Sequence, residues 1–561
     1  MSTKRGTTMK VLVNNAWVSP KSSNGMPALD FIRLELGLKG TKEGCREGDC
    51  GACAVLLGEL VPASSGSWAQ IDERDRRRNS DATVVDKGRG ELVPRYRAVP
   101  SCLLALGDLA GKHLITIEGL ASVPGGLSPV MKAFLEENAS QCGFCSPGFI
   151  ISLSAWLAES DNLDMAGALK AVDGNLCRCT GYGAIRRAAE RLVKEFADLP
   201  HDRMTRLQRL VERAVLPASV LSYLDYAGTQ FKEEKKPAHE SLTATKAILG
   251  GGTDFYVRNP EPEEGFSPLL LSTVGAYSGI TRVDAEGRSW LRLGAGLRIT
   301  DFFASQAVRE NVPGIEKFET QFASTLVRNL ATLGGNIVNA SPVADMTAML
   351  LGLGAWVELR SLSETERGFR RQSLDSFFIG YKQTALKSDE FVAAILLPAS
   401  NEGSDFSGSG AYDGEQGGVS LSGHFEGGIG FGARGGKLFF SFEKAAKRDK
   451  LDIAAVNTAM SFRMDDAFAR SVRISAGGVA EIPLLLSKAA MAMEGSQIKG
   501  AKPKDLAKLC QTVKNLAEEE VRPIDDVRGS AAYRRSMIGR LVQAHFLRFF
   551  AREGIAEELE P

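Results

Sequence analysis

The sequence predicts a multidomain α+β protein, and three observations lead there. Its 561 residues exceed what one hydrophobic core supports, so three or four domains are expected. Eight of the nine cysteines precede residue 180 and form two groups. Beyond them, two glycine turns, Gly250–Gly252 and Gly334–Gly335, interrupt apolar runs within alternating strand-like and helical sequence.

The later cysteine group organises the first third of the chain. Cys142 and Cys145 lie in QCGFCSPGF, Cys177 and Cys179 in NLCRCTGYG, with the apolar helical run ISLSAWLAES between them. Two tight thiolate pairs brought face to face can hold one metal centre. In the earlier group, Cys45, Cys50 and Cys53 of GCREGDCGAC show the C-x4-C-x2-C spacing of plant-type ferredoxins, which calls for a fourth ligand downstream. Cys102, in RAVPSC, is the unassigned cysteine there. Four disulfides or a zinc ribbon are the alternatives. An odd cysteine and an amino terminus without a signal-peptide core oppose the first, and the glycine-rich cysteine loop opposes the second. Cys510 reads as a buried small hydrophobe.

Lys plus Arg and Asp plus Glu number 68 each, which favours neither nucleic acid nor an anionic membrane as partner. No uninterrupted apolar run is long enough to span a bilayer. The expected location is cytoplasmic.

In chain order, KVLVNNAWV (10–18) alternates like one strand, and DFIRLELGL (30–38) reads as a short amphipathic helix. Gly44, Gly48 and Gly51 let the cysteine loop wrap closely around its cargo. A strand AVLLGEL follows, then a charged stretch, 62–95, read as a surface insertion. Helices are expected at 128–138, 147–159, 164–173 and 182–197, with Ser146 and Pro147 as cap and first turn of the second. This outlines a ferredoxin-like β-grasp domain (8–112) followed by a small four-helix bundle (113–200). The four motifs GTKEGCREGDCGACAV, RAVPSC, QCGFCSPGF and GNLCRCTGYGAI, in this order, resemble the two-cluster iron–sulfur module of the molybdenum hydroxylases.

A linker is expected at 200–222. In TKAILGGGTDFYVRN, consecutive glycines can bring backbone N–H groups up to an anion such as a cofactor pyrophosphate. NLATLGGNIVNASPVADM supplies the second turn. The resemblance implies that these loops hold FAD in an α+β domain (213–400) that is not a Rossmann fold. It assigns the phosphate cradle to Leu249, Gly250, Gly251, Gly252, Thr253 and Asp254, and further flavin contacts to Phe322, Thr332, Gly335, Asn336 and Asp345. Lys444 falls near the isoalloxazine and Tyr381 at its NAD end. The ordinary alternatives are a core phenylalanine in an apolar helix for Phe322, a helix cap for Asp345, a solvated lysine for Lys444 and a half-buried tyrosine for Tyr381. The GxGxxG at Gly430, Gly432 and Gly435 lies in a Gly/Ser-rich tract, 403–436, and reads as a flexible linker. Beyond it come a strand KLFFSFEK, a helical LDIAAVNTAMSF, a strand VRISAGGVA, and helices at 503–519 and 528–551, forming an α+β C-terminal flavoprotein domain (437–555).

Over nearly its whole length the chain resembles the small subunit of two-chain xanthine dehydrogenases. This implies two 2Fe-2S clusters on the eight cysteines, FAD, NAD as electron acceptor, and a molybdenum-cofactor-binding large subunit in a heterotetramer or larger assembly. Because no molybdenum-pterin domain follows the flavin part, that centre is expected on the partner chain. The resemblance also puts the cluster of tight cysteine pairs nearest that partner. An aldehyde or another N-heterocycle dehydrogenase with the same relay, a cluster-only redox or assembly protein, and an oxygen-reducing flavoprotein are the competing readings.

Overall fold

The computed structural model describes residues 9–62, 92–223, 247–285, 288–362, 369–399, 436–448 and 451–559. The glycine-rich tract 403–435, with its GxGxxG, and most of the 62–95 insertion lie outside them.

The first unit is a mixed five-stranded sheet. The stretch 10–18, expected as one strand, folds as the hairpin β1 (Val11–Val13) and β2 (Ala16–Val18), because Asn14 turns the chain at φ +53. With β3 (Ala54–Pro62), β4 (Leu92–Pro100) and β5 (His113–Ile115) the order is β2-β1-β5-β3-β4, parallel only between β1 and β5. Pro62 pairs with Leu92, so the insertion is the connection of a long hairpin. Residues 92–95 belong to strand rather than to a polar surface, and Arg95 is buried. The helix expected over 30–38 shrinks to Ala28–Asp30 and a wide turn Phe31–Glu35.

The second unit is helical. Its helices are α1 (Pro129–Glu136), α2 (Ser146–Glu159), α3 (Met165–Ala171), α4 (Gly183–Glu195) and α5 (Arg203–Glu212). Ser128 and Asp164 cap α1 and α3 through side-chain oxygens. Ser146 does not cap α2; its hydroxyl donates to Ser140 and Cys145 takes the cap position. The expected linker 200–222 contains α5, whose Leu207 and Leu210 enter the bundle core. Its charges hid a narrow apolar stripe.

The third unit holds the strand order β11-β10-β12-β9-β8, built from β8 (Ile280–Ala285), β9 (Arg288–Gly294), β10 (Trp356–Ser361), β11 (Phe369–Ser373) and β12 (Glu390–Pro398). A small parallel pair, β6 (Ile248–Leu249) and β7 (Leu269–Leu270), carries the first glycine turn into α6 (Thr253–Arg258). Helices α7 (Ile299–Ala304), α8 (Thr325–Arg328), α9 (Leu333–Val338) and α10 (Asp345–Gly352) follow.

The C-terminal unit is a four-stranded antiparallel sheet of β13 (Lys437–Ala445), β14 (Val456–Asp465), β15 (Phe468–Gly477) and β16 (Leu484–Leu485). It is covered by α11 (Ser487–Met493), α12 (Pro503–Glu520) and α13 (Ala531–Phe550). In LDIAAVNTAMSF, expected as helix, Val456 onward is strand and the residues before it are irregular. The run Val456–Phe462 is buried on both faces, between α10 and α13, so the alternation that identifies a half-exposed strand is lost.

The cores interpenetrate. Tyr256, Leu270 and Leu330 of the third unit pack in the core of the first, and Leu326 enters the helical core. A buried charge network reinforces this. Arg95 lies 2.6 Å from Glu59 and 3.2 Å from Asp301, Arg97 also pairs with Asp301, and Arg298 lies 2.9 Å from Glu59. Burial opposes ionisation of both carboxyls, but the guanidinium groups prevail: Arg298 and Arg95 hold Glu59, and Arg95 and Arg97 hold Asp301, well below the carboxylate range. Among the described residues, no helix is long and apolar enough to cross a membrane.

Candidate functional site

The first cysteine loop closes on itself through glycine. Gly48 and Gly51 have φ +77 and +66, and a Cβ on Gly44 would stand 2.8 Å from Cys50 Sγ. The loop's thiols fall into two contacting pairs. Cys45 neighbours Cys50, and Cys53 Sγ lies 3.3 Å from Cys102 Sγ. Within each pair one sulfur is biased toward thiolate. The Cys50 thiol, helped by the Glu47 N–H, brings Cys45 down to about 5 against its burial, and Cys50 is pushed up in return. Cys53 is lowered by its bond to Cys102, which rises. Thiolates are the metal-binding form.

The second set has the same arrangement on the bundle. Cys142 and Cys179 Sγ atoms are 3.6 Å apart, and Cys145 neighbours Cys177. Burial works against a Cys177 thiolate, but the Thr180 hydroxyl 3.2 Å away and the Thr180 and Cys179 N–H groups bring it down to about 7. Tyr182, at φ +66 just before α4, accepts the Cys177 N–H. Cys142 and Cys179 are exposed, beside the exposed rings of Phe144 and Tyr182.

Among the described residues no three such side chains converge on a single metal ion. The donor set fits a wider centre. A tetrahedral metal with bonds to sulfur of about 2.3 Å opens a sulfur–sulfur edge of about 3.8 Å, close to the pair spacings seen. Two such edges facing each other suit two bridged irons. The two sets also adjoin. The Leu176 N–H donates to Cys50 O at 3.0 Å, and Asn175 ties the Gly51 carbonyl to Ser152.

The two glycine turns meet although far apart in sequence. A Cβ on Gly250 would stand 2.2 Å from Thr332 Oγ1 and 3.2 Å from Gly335 Cα, and one on Gly251 only 1.9 Å from the Leu330 carbonyl oxygen. Thr332 caps α9 by accepting the Gly335 N–H, and Asn336 accepts the Thr347 hydroxyl. Asp254 accepts from Asn339, fastening the first turn to the end of the second. Among the described residues, the N–H groups from Gly250 to Asp254 have no backbone acceptor. Leu249 leans on the ferredoxin-like core and Thr253 opens α6. This cradle of N–H groups at a close loop crossing fits an anionic diphosphate.

Asp345 and Lys444 meet at one edge of these loops. Lys444 Nζ lies 2.7 Å from Asp345 and donates to the Gln321 carbonyl at 2.8 Å, while Asn457 donates to the other Asp345 oxygen at 2.6 Å. Burial pushes the Asp345 carboxyl up despite both partners. Lys444 is therefore buried and paired rather than solvated, and Asp345 follows the cap position, which Ala344 occupies. Phe322 is not in an apolar helix. It ends a tight turn and is partly buried against the flavin-unit core. Tyr381 stands apart, 62% exposed, beside Lys382, which holds the Asn339 carbonyl.

Sequence reasoning missed Asn457, Thr347 and Arg328. None lies in a motif, and the partners of Asn457 and Arg328 are remote in the chain.

Residues 116–190 match the [2Fe-2S] binding domain family, 238–400 the FAD binding domain in molybdopterin dehydrogenase, and 441–549 the CO dehydrogenase flavoprotein C-terminal domain. These three domains, in this order, fit an iron–sulfur and FAD module of the molybdenum hydroxylase type. The module is 27% identical to xanthine dehydrogenase of Dictyostelium discoideum over 69% of its own length and 31% of that protein's. It is 25% identical to xanthine dehydrogenase 1 of Arabidopsis thaliana over 95% and 38%. It thus spans about a third of the curated relatives it matches. Among solved structures, quinoline 2-oxidoreductase from Pseudomonas putida 86 aligns with 56% of the module and 95% of that chain, at 21% identity and TM-score 0.43. The module binds a 2Fe-2S cluster and FAD.

Proposed function

We propose that the module relays electrons from a molybdenum centre on a partner chain, where a purine such as xanthine is hydroxylated, to NAD. The observation that carries this reading is the convergence of three loops. Gly252 lies against the Leu103 carbonyl beside Cys102, Gly48 against Val327, and Gly174, just before Cys177, against Ser324. The flavin loops thus abut both cysteine loops, as stepwise transfer over short distances requires.

Iron–sulfur centres pass single electrons, and FAD takes them singly and returns them in pairs as hydride. In this reading Cys45, Cys50, Cys53 and Cys102 hold one 2Fe-2S centre, and Cys142, Cys145, Cys177 and Cys179 the other. Thiol–thiol bonds and backbone N–H groups already bias one sulfur of each pair toward the ionised form the metal takes. The N–H groups from Gly250 to Asp254 hold the FAD diphosphate. Phe322, Thr332, Gly335 and Asn336 line the flavin. Asp345 and Asn457 anchor Lys444 against the Gln321 carbonyl, keeping its cation at the flavin edge. Tyr381 offers its exposed face for stacking a nicotinamide ring. The exposed Cys142–Cys179 edge, flanked by Phe144 and Tyr182, is the side for the molybdenum partner, in a heterotetramer or larger assembly.

The test is to express the chain with iron supplied, measure iron, acid-labile sulfide and flavin, and titrate anaerobically with NADH. About four irons and one FAD per chain, with NADH bleaching both chromophores, are expected. Flavin that NADH leaves oxidised would refute the NAD assignment, and two irons instead of four would refute the second centre.

A further inference from the structure

A second buried charge network lies where the helical unit meets the flavin loop, and it is built around one side chain. Arg328 is fully buried in α8. Its Nη1 donates to the Phe322 and Ala323 carbonyls at 2.7 and 2.6 Å, and its Nη2 to Asp173 at 3.1 Å and Thr325 Oγ1 at 2.7 Å. Glu319 stands 3.5 Å from Nε. A lone guanidinium here would be costly to bury, and two carboxylates and two carbonyls compensate it. Ala323 adopts φ +42, a left-handed conformation unfavourable for alanine that the bonds to both flanking carbonyls hold in place.

The network bridges two units. Asp173 lies in the turn that leads from α3 to Cys177, and its second oxygen accepts the Thr325 N–H at 2.7 Å. Lys170 completes the junction: its carbonyl accepts the Thr325 hydroxyl at 2.9 Å and its Nζ pairs with Glu319 at 2.7 Å. There is no slack between the surfaces. A Cβ on Gly174 would stand 2.7 Å from Ser324 Cβ, and one on Gly48 3.2 Å from Val327 Cγ2. On its far side the same segment is held by Lys444 through the Gln321 carbonyl. Residues 319–328 are therefore clamped between the cysteine loops and the C-terminal unit.

We propose that Arg328, acting through Asp173, is a positioning residue that sets the spacing between the flavin loop at Phe322 and the Cys177 loop, and with it the rate of electron passage between flavin and clusters. The rate consequence rests on the relay reading above; the clamping of residues 319–328 does not. Electron passage between centres weakens with their separation, so loosening this junction slows it.

The experiment compares wild-type holoprotein with Arg328→Gln, Arg328→Lys and the milder, nearly isosteric Thr325→Val. Flavin and cluster bleaching by NADH are followed separately in anaerobic stopped flow, and backbone hydrogen exchange is measured over residues 320–328. Expected are wild-type iron and FAD contents, flavin bleaching at the wild-type rate, cluster bleaching several-fold slower in Arg328→Gln, and faster exchange in that segment. Arg328→Lys, which keeps the charge but not the fork, recovers part of the rate. A loaded Arg328→Gln variant with wild-type cluster bleaching would overturn the proposal. Should that variant fail to load, Thr325→Val decides: unchanged cluster bleaching and unchanged exchange reject the clamp. If the wild type itself is not bleached by NADH, the relay reading falls, and the exchange data alone judge the clamp.

Discussion

Gly251→Ala tests the flavin cradle at the point where the structure leaves least room. The new Cβ would stand 1.9 Å from the Leu330 carbonyl oxygen and 2.8 Å from its carbon. Both are backbone atoms, so no side-chain rotation relieves the clash and one of the two turns must retreat. Overpacking of this kind costs about 1–3 kcal/mol. If the displaced turn is the one whose N–H groups hold the diphosphate, that cost appears in FAD affinity as a loss of roughly 5- to 150-fold. The assay is FAD affinity of the deflavinated protein by fluorescence, with iron content measured in parallel to show that the cysteine loops, which Leu330 and Gly252 adjoin, remain loaded. Gly275→Ala is the matched control, since a Cβ there meets nothing within 4 Å. Wild-type FAD affinity in Gly251→Ala would refute the placement of the cofactor at this loop crossing.

Other perturbations read other parts of the molecule. Cys53→Ser and Cys177→Ser should each remove about two irons while sparing the other centre, a split visible by iron analysis and cluster absorbance; loss of both centres from either variant would show that the two sets fold as one. Asp301→Asn leaves Arg95 and Arg97 without their shared anion and should cost about 3–5 kcal/mol in denaturant unfolding at neutral pH. Because Asp301 is held below its unfolded value, its contribution is complete above the unfolded pKa of about 4 and disappears as pH falls further. The difference between wild type and variant should therefore narrow in acid. His113 and His545 are buried neutral, burial pushing them down to about 4 and about 3. The unfolded chain takes up protons that the folded one refuses, so stability should fall below pH about 6.5, by up to about 1.4 kcal/mol per pH unit for each histidine. His545→Gln should flatten that slope in a melting series from pH 7 to about pH 5.

The sequence by itself determined the chemistry that depends on local spacing. Cysteine intervals and the glycines that let a turn close tightly are properties of a few neighbouring residues, and they were legible without a fold, whereas the helix caps at Ser128 and Asp164 emerged only in the structure and the one expected at Ser146 is not made. Local pattern failed where burial is two-sided or a stripe is narrow. Val456–Phe462 has no polar face to betray its period, and α5 reveals its apolar side only against the bundle. The flavin assignments of Phe322, Asp345 and Lys444 came from family resemblance rather than pattern, and their surroundings were not legible. Only the tertiary structure decided which distant groups meet: Gly250 with Thr332, Asp345 with Lys444 and Asn457, Arg328 with Asp173, Asp301 with Arg95. Such pairs carry no spacing rule, because a buried charge needs a partner in space, and the chain can supply that partner from any element the packing brings near.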